Sequence, residues 1–331
     1  MREFAYHKAS DVPDAVALLD ADPQARFLAG GTNLVDLMKS GVERPARLVD
    51  VRQLPLDRVE STPEGGLRIG ATVTNGDLAA HPEVRSRYPM LAQAVLAGAS
   101  GQLRNMATVG GNLLQRTRCA YFTDLTKPCN KRAPGSGCPA VQGEHHNHAI
   151  LGASSHCVSV HPSDMAVALA ALDAVVHYET ADGPGELPIG WFYLPVARTP
   201  HRETALPAGA LITHVSLPPV PAAARSRYRK VRERASYAFA TGSIAAALDV
   251  RDGVVHEVRL AFGAVASRPW RARAAERVLT GASAGAETFA AAADAELAAA
   301  RPLPHNGYKV TLMRNLTVAV LSELLEADAT R

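Results

Sequence analysis

Phe27-Leu28-Ala29-Gly30-Gly31-Thr32-Asn33-Leu34 is the stretch on which the fold turns. A short apolar run, 27–29, meets a glycine pair, and a helix is expected to begin near Asn33. Upstream, Ser10 reads as the N-cap of a short helix with Pro13 in its first turn and Val16, Leu18 and Leu19 on its apolar face. Downstream, 48–51 reads as a strand. Strand, glycine turn, helix and strand together make a small α/β unit. Glycines at such a turn let backbone N–H groups converge on an anion, and the helix amino terminus adds partial positive charge. The motif is not the GxGxxG fingerprint, nor a Walker A loop, since no GK[ST] follows; a plain tight turn is the ordinary reading of GGT.

Ala107-Thr108-Val109-Gly110-Gly111-Asn112-Leu113 echoes the first loop. Two such loops could close on a pyrophosphate from both sides; two unrelated turns are the alternative. Around these loops the chain alternates between helical and extended patterns. Residues 56–66 are rich in Pro, Asp, Ser, Glu and Gly and suggest a boundary. Residues 67–74 alternate like a half-buried strand, and helical periodicity runs from 76 to 99. Segment 115–162 has almost no periodicity. An Ala-rich helix opens at Ser163, followed by strands at 174–178 and 211–217 and a linker at 218–224. Residues 244–250 and 254–261 flank Arg251-Asp252-Gly253, a hairpin signal. Helices are expected at 270–279, 284–298 and 307–325. The fold class is α+β, ending in an antiparallel sheet with helices.

The 331 residues are 47% hydrophobic and 20% charged, with a formal net charge of +3, and no basic stripe argues for nucleic acid. No apolar run is long enough for a membrane span. The opening MREFAYHKAS lacks an apolar signal region, so the chain is expected in the cytoplasm. Hydrolytic patterns such as GxSxG and HExxH are missing, as are patterns for molybdopterin or a [2Fe–2S] cluster.

All four cysteines, Cys119, Cys129, Cys138 and Cys157, fall in the aperiodic stretch, spaced C-x9-C-x8-C-x18-C. Four thiolates on one loop-rich segment suit a tetrahedral soft-metal site or a cubane cluster. Neither the C-x2–4-C knuckle of structural zinc sites nor the ferredoxin run is present, so spacing leaves zinc and iron–sulfur both open. Disulfides fit poorly with a cytoplasmic origin. His145, His146, His148, His156 and His161 crowd the same stretch and read as surface loop histidines rather than ligands. Arg116, Arg118, Lys131 and Arg132 either offset cluster charge or are simply solvated.

FLAGGTNL, QLRNMATVGGNL and HPSDMAVAL, taken in order, resemble the FAD-binding subunit of the xanthine dehydrogenase and carbon monoxide dehydrogenase family along nearly the whole chain. The resemblance implies an N-terminal FAD-binding subdomain over 1–56, a second over 57–222 carrying the insert 115–162, and a C-terminal flavoprotein domain over 223–331. It implies that Arg26, Phe27, Leu28, Ala29, Gly30, Gly31, Thr32, Asn33 and Leu34 surround the FAD pyrophosphate and ribityl chain. Ala107, Thr108, Gly110, Gly111 and Asn112 would form the opposing loop. Asp164 would accept hydrogen bonds from the ribityl hydroxyls, with a helix-terminal Asp as the alternative, and Ser163 would belong to the cofactor site beside it. Leu211 and Ile212 would pack near the isoalloxazine. Lys230 would stand near the flavin, where a cation favours the reduced, anionic form; a surface-strand lysine is the alternative.

The insert itself, QRTRCAYFTD through PCNKRAPGSGC to SSHC, resembles that of bacterial periplasmic-type aldehyde oxidoreductase FAD subunits, which implies a [4Fe–4S] cluster on the four cysteines. By the same resemblance the partners are a large molybdopterin-cofactor subunit and a small [2Fe–2S] subunit, in a heterotrimer that passes electrons from FAD to an external acceptor. A partner's twin-arginine signal could then carry the complex to the periplasm. Two other readings stand beside it: a 4-hydroxybenzoyl-CoA reductase-type subunit, and a metal-stabilised assembly module without flavin.

Overall fold

The computed structural model describes residues 1–329 and builds three sheets from them. The first is parallel, with β1 (Ala5–Lys8) and β2 (Ala25–Leu28) on either side of β3 (Arg47–Asp50). Helix Val12–Asp20 makes the crossover from β1 to β2, and helix Leu34–Lys39 that from β2 to β3. The first helix is capped by Asp11, whose side chain accepts from Asp14 N, and not by Ser10. Ser10 instead donates from its backbone N–H and its hydroxyl to the Asp14 carboxylate. All four residues of β1 are exposed, so no alternation marks them as a strand.

The second sheet has the order β4 (Val59–Ser61), β5 (Leu67–Gly70), β8 (Leu211–Leu217), β6 (Val175–Thr180) and β7 (Gly183–Pro188), antiparallel throughout. Between β5 and β6 the helical periodicity of 76–99 divides into Asn75–Ala80, Pro82–Arg87 and Pro89–Ala97. Pro82 and Pro89 each occupy a first helical turn, where a missing N–H does no harm but the preceding helix must stop. The insert holds little regular structure beyond Ala120–Thr123 and a single tight turn at Pro139–Val141.

The third sheet orders β12 (Trp270–Arg271), β11 (Val254–Gly263), β10 (Gly242–Arg251) and β9 (Ser226–Val231), all antiparallel. Strand β10 is buried on both faces. Ile244, Ala246 and Leu248 pack with the C-terminal helices, while Ala245 and Ala247 join the core of the second sheet and helix Asp164–Ala171. Every residue of that helix from Met165 to Ala171 is buried. The alanines have a structural use here: with one methyl each, sheet and helix backbones approach closely without voids. The same seam is clamped by Asp173, just past the helix, whose carboxylate meets Arg259 at 2.7 Å, Arg271 at 2.9 Å and Arg273 at 3.0 Å. Helices Arg273–Leu279, Ala286–Leu297 and Tyr308–Ala329 complete the chain. Among the described residues no helix is long and apolar enough to cross a membrane.

Candidate functional site

The first glycine loop leaves the carboxyl end of β2, the edge at which parallel α/β sheets characteristically bind ligands. A Cβ on Gly30 would lie 1.8 Å from the Met106 carbonyl oxygen, so the bare glycine is what lets the two loops touch. Gly31 follows at φ +74°, a left-handed conformation that turns the chain into the next helix. Among the described residues, the N–H groups of Gly30, Gly31, Thr32 and Asn33 donate to no protein carbonyl. Asn33 accepts from Arg116 N at 2.9 Å through Oδ1, while its Nδ2 is buried with no partner. Four N–H groups and a buried amide, all on residues that line one cavity, thus have no acceptor within the protein.

The second loop works differently. Thr108 caps the short helix Val109–Leu113, and its hydroxyl accepts from Gly111 N at 3.2 Å. Gly110 N donates to Ala71 O at 2.9 Å and Asn112 N to Thr108 O at 2.8 Å. The second loop thus donates the N–H groups of Gly110, Gly111 and Asn112 within the protein. The second loop contributes shape, with Gly110 against Ala71 and Gly111 against Thr108.

Two cavities meet at Thr32, Asn33 and Gly111. One, of about 300 Å³, is lined by Arg26, Phe27, Ala29 through Leu34, Thr108, Gly110, Leu211 and Ile212. The other, of about 440 Å³, is lined by Ala107, Asn112, Asp164 and Lys230, together with Arg118, Tyr237 and Phe239. Leu28 lines neither: it follows Phe27 in the strand and so faces the opposite side, where its Cδ1 packs beneath Gly31. Ser163 also lies outside both arms. It caps helix Asp164–Ala171 by accepting from Ala166 N at 3.0 Å and donates to Asn112 Oδ1 at 2.6 Å, which makes it a support for Asn112. Leu211 and Ile212 line the opposite arm from Lys230.

Lys230 is no surface lysine. Its side chain is 4% exposed and its ammonium lies 2.8 Å from Asp164 Oδ2 and 3.1 Å from Ala97 O. Tyr228, two residues earlier on the same face of β9, donates to Asp164 Oδ1 at 2.5 Å. Burial and the Asp164 charge push the Tyr228 phenol well above its ordinary pKa, so it remains a donor. Asp164 is therefore the centre of a buried cluster as well as the first residue of its helix. Nothing in the sequence around Tyr228 signals that contact.

The four cysteines are free thiols gathered around one small internal gap, shared with Thr117, Tyr121 and Ser159. Among the described residues no three Cys, His, Asp or Glu side chains already stand in ligating geometry. The surroundings nevertheless suit sulfur-held metal. Backbone N–H groups of Phe122 and Tyr121 point at Cys119, and those of Val158 and Ala140 at Cys138. Burial pushes the Cys119 thiol up to about 11 and raises Cys138 as well, so deprotonation there calls for a bound cation.

The histidines of the insert are not uniformly at the surface. His145 is buried, with Nδ1 on Ala140 O and Nε2 accepting from His305 N at 3.1 Å. His148 Nε2 lies 3.2 Å from Cys119 Sγ, and burial, then the Lys309 charge, pulls its pKa to about 4. His161 is pulled to about 3, chiefly by burial, and accepts from Ser163 N through Nδ1. His146 and His156 are exposed as expected. Nor are Arg116 and Lys131 solvated. Arg116 meets Glu43 at 2.6 Å and Glu203 at 3.2 Å, and Lys131 meets Glu203 at 2.7 Å.

Comparison with known proteins places this geometry. Residues 2–220 match the FAD binding domain in molybdopterin dehydrogenase, and residues 226–324 match the CO dehydrogenase flavoprotein C-terminal domain. The chain is 50% identical over 324 residues to the aldehyde oxidoreductase FAD-binding subunit of Escherichia coli K12, covering 98% of each. It is 27% identical over 334 residues to a putative xanthine dehydrogenase FAD-binding subunit of the same organism, covering 99% of this chain and 98% of that one. Among solved structures, a carbon monoxide dehydrogenase from Hydrogenophaga pseudoflava superposes with a TM-score of 0.76 at 26% identity, over 97% of this chain and 96% of that one. The chain belongs to the family of FAD-binding subunits of the xanthine and carbon monoxide dehydrogenases, and is by that membership an oxidoreductase subunit.

Proposed function

We propose that this chain carries FAD in a molybdenum-containing aldehyde oxidoreductase, and that Cys119, Cys129, Cys138 and Cys157 hold a [4Fe–4S] cluster. The carrying observation is the row of unused donors, Gly30 to Asn33, set where two cavities meet. A dinucleotide has this form: a pyrophosphate acceptor in the middle and a ring system at each end. The aldehyde substrate class follows from the 50% identity to the aldehyde oxidoreductase subunit over nearly the full chain.

The residues divide the work. Gly30, Gly31, Thr32 and Asn33 bind the pyrophosphate through N–H groups that have no backbone acceptor within the protein. Leu211 and Ile212 close an apolar arm that suits the adenine. Asp164, already polarised by Lys230 and Tyr228, faces the ribityl hydroxyls, and Lys230 brings positive charge to the arm assigned to the flavin ring. When bound, FAD supplies a centre that exchanges electrons singly or in pairs, which suits a chain between a [2Fe–2S] partner and an external acceptor. Phe239 and Tyr237 line that arm and offer it aromatic surface. The large molybdopterin subunit and the small [2Fe–2S] subunit are the partners this reading requires. The insert's cluster serves first as a brace for a long irregular segment, since none of the four cysteines lines either arm of the cleft.

Metal and flavin analysis of the protein purified without oxygen tests this. About four irons per FAD, with little zinc, are expected. Zinc with FAD would remove the cluster, and a chain that holds no flavin and refuses added FAD would overturn the whole reading.

A further inference from the structure

Glu203 stands between two cations from different parts of the molecule. Its Oε1 lies 2.7 Å from Lys131 Nζ and its Oε2 3.2 Å from Arg116 Nε. Lys131 is two residues beyond Cys129, inside a turn closed by Arg132 N and Ala133 N donating to Cys129 O. Its side chain is 5% exposed, and its other hydrogen bond goes to Pro200 O at 3.2 Å. Arg116 turns the opposite way: its backbone N–H holds Asn33 Oδ1 at 2.9 Å, and its Nη1 meets Glu43 at 2.6 Å. Asn33 then presents its unpartnered Nδ2 at the junction of the two arms.

The path from the Cys129 turn to the flavin cleft therefore runs through consecutive contacts between poorly solvated groups. Burial alone would raise the Glu203 carboxyl, but Lys131 and then Arg116 outweigh it and hold the pKa below the usual value. An ion in such a place loses a partly desolvated, charge-assisted contact when it drifts from its partner, which favours their moving together. A shift of Lys131 must be followed by Glu203, and a shift of Glu203 by Arg116.

We propose that Glu203 couples the cysteine site to the flavin cleft: ordering of the Cys129 turn by its metal centre fixes Lys131, and Glu203 and Arg116 pass that constraint to the Asn33 amide. The proposal rests on the flavin and cluster assignments made above. Glu203 is a positioning residue, reaching FAD only through Arg116 and Asn33. Coupling of this kind is reciprocal, so FAD should also tighten metal binding by the same factor.

The test compares FAD dissociation constants of the full-length chain, purified without oxygen, before and after iron is stripped with a chelator. In the wild type, stripping should weaken FAD binding by about tenfold, within the usual range for coupled sites. Glu203→Gln with its iron intact should bind FAD about as weakly as the stripped wild type, and should respond to stripping by less than about twofold. Lys131→Met should behave in the same way, the double variant should be no worse than either, and Lys131→Arg should keep the wild-type response. A merely structural Glu203 would weaken FAD equally with and without iron and leave the wild-type ratio intact, which overturns the proposal. So does a wild-type chain that holds both groups but whose FAD affinity ignores stripping. A wild-type chain lacking iron or FAD instead overturns the assignments beneath it, and the coupling with them. Should Glu203→Gln fail to fold, the contrast between Lys131→Met and Lys131→Arg decides the matter.

Discussion

Lys230 and Asp164 form an ion pair at 2.8 Å that is almost closed to solvent, with 4% and 9% of their side chains exposed, and the pair joins strand β9 to the start of helix Asp164–Ala171. The two residues fall on opposite sides of the division between the matched FAD-binding and C-terminal flavoprotein regions. The arm lined by Asp164 and Lys230 is thus walled by both regions and depends on their docking. Removing one partner should leave the other as a buried, unmatched charge. Lys230→Met is expected to lower unfolding stability by about 3–5 kcal/mol. Adding Asp164→Asn to it should return much of that loss, because both charges are then gone. Urea unfolding of the three variants checks the sign, and flavin content per chain should be low in all of them.

Gly30→Ala tests the contact between the glycine loops. The new methyl would sit 1.8 Å from the Met106 carbonyl oxygen, which is backbone and cannot swing aside. The loops must part, at a strain of about 1–3 kcal/mol. If that strain falls on the bound state, FAD affinity drops by roughly tenfold or more. Flavin fluorescence titration reads it directly; an unchanged dissociation constant would show that the loops are free to separate.

Acid should destabilise the chain through His161. Its folded pKa is about 3 against an ordinary 6.5, lowered first by burial. The neutral ring is the one that folds, and Nδ1 must be unprotonated to accept from Ser163 N. Its contribution is therefore fully present above pH 6.5 and is lost as pH falls from 6.5 towards 3, at a slope on the order of 1 kcal/mol per pH unit. His161→Asn keeps an acceptor but removes the titration. The difference in melting temperature between pH 7.5 and pH 5 should be smaller in that variant than in the wild type.

Cys129→Ser should remove iron and lower folding yield more than it alters the rate of flavin reduction in whatever complex survives. Iron content, melting temperature and stopped-flow reduction by aldehyde, measured on the same preparation, separate the two effects. A fully assembled variant with slow flavin reduction would instead make the cluster an electron relay.

Local rules carried the sequence reading a long way, and failed where distant residues decide. Strand Leu211–Leu217 and the hairpin about Asp252-Gly253 were legible because burial alternation and a left-handed turn pair are written within a few residues. The first glycine loop was legible for the same reason. Strand β7, Gly183–Pro188, reads as turn chemistry, and only its pairing with β6 makes it a strand. Lys230 sits among Arg229, Val231 and Arg232 and looks like a surface residue; the carboxylate that buries it lies 66 residues away. Glu203 finds Lys131 across 72 residues and Arg116 across 87, and no periodicity links such positions. The second glycine loop resembles the first in letters, but Thr108 and Ala71 take up its N–H groups, which depends on the register against β5's trailing segment.

Lys309, wholly buried near the start of the last helix, donates to Asn147 O at 3.1 Å, His148 O at 3.0 Å and Ala264 O at 2.7 Å, and the neighbouring Asn306 donates to His148 O and Ala149 O. The stretch between the third and fourth cysteines is thus pinned by residues made more than 150 positions later. A nascent chain that has already released all four thiols from the ribosome still lacks the struts that set their loop. Maturation of this subunit has an order imposed by its own topology: residues 306–309 must be made and docked before the thiol nest takes its lasting shape. Until that moment the loop between the third and fourth cysteines lacks its struts, and anything that binds the four thiols as a set meets them only after the helix carrying Lys309 has docked.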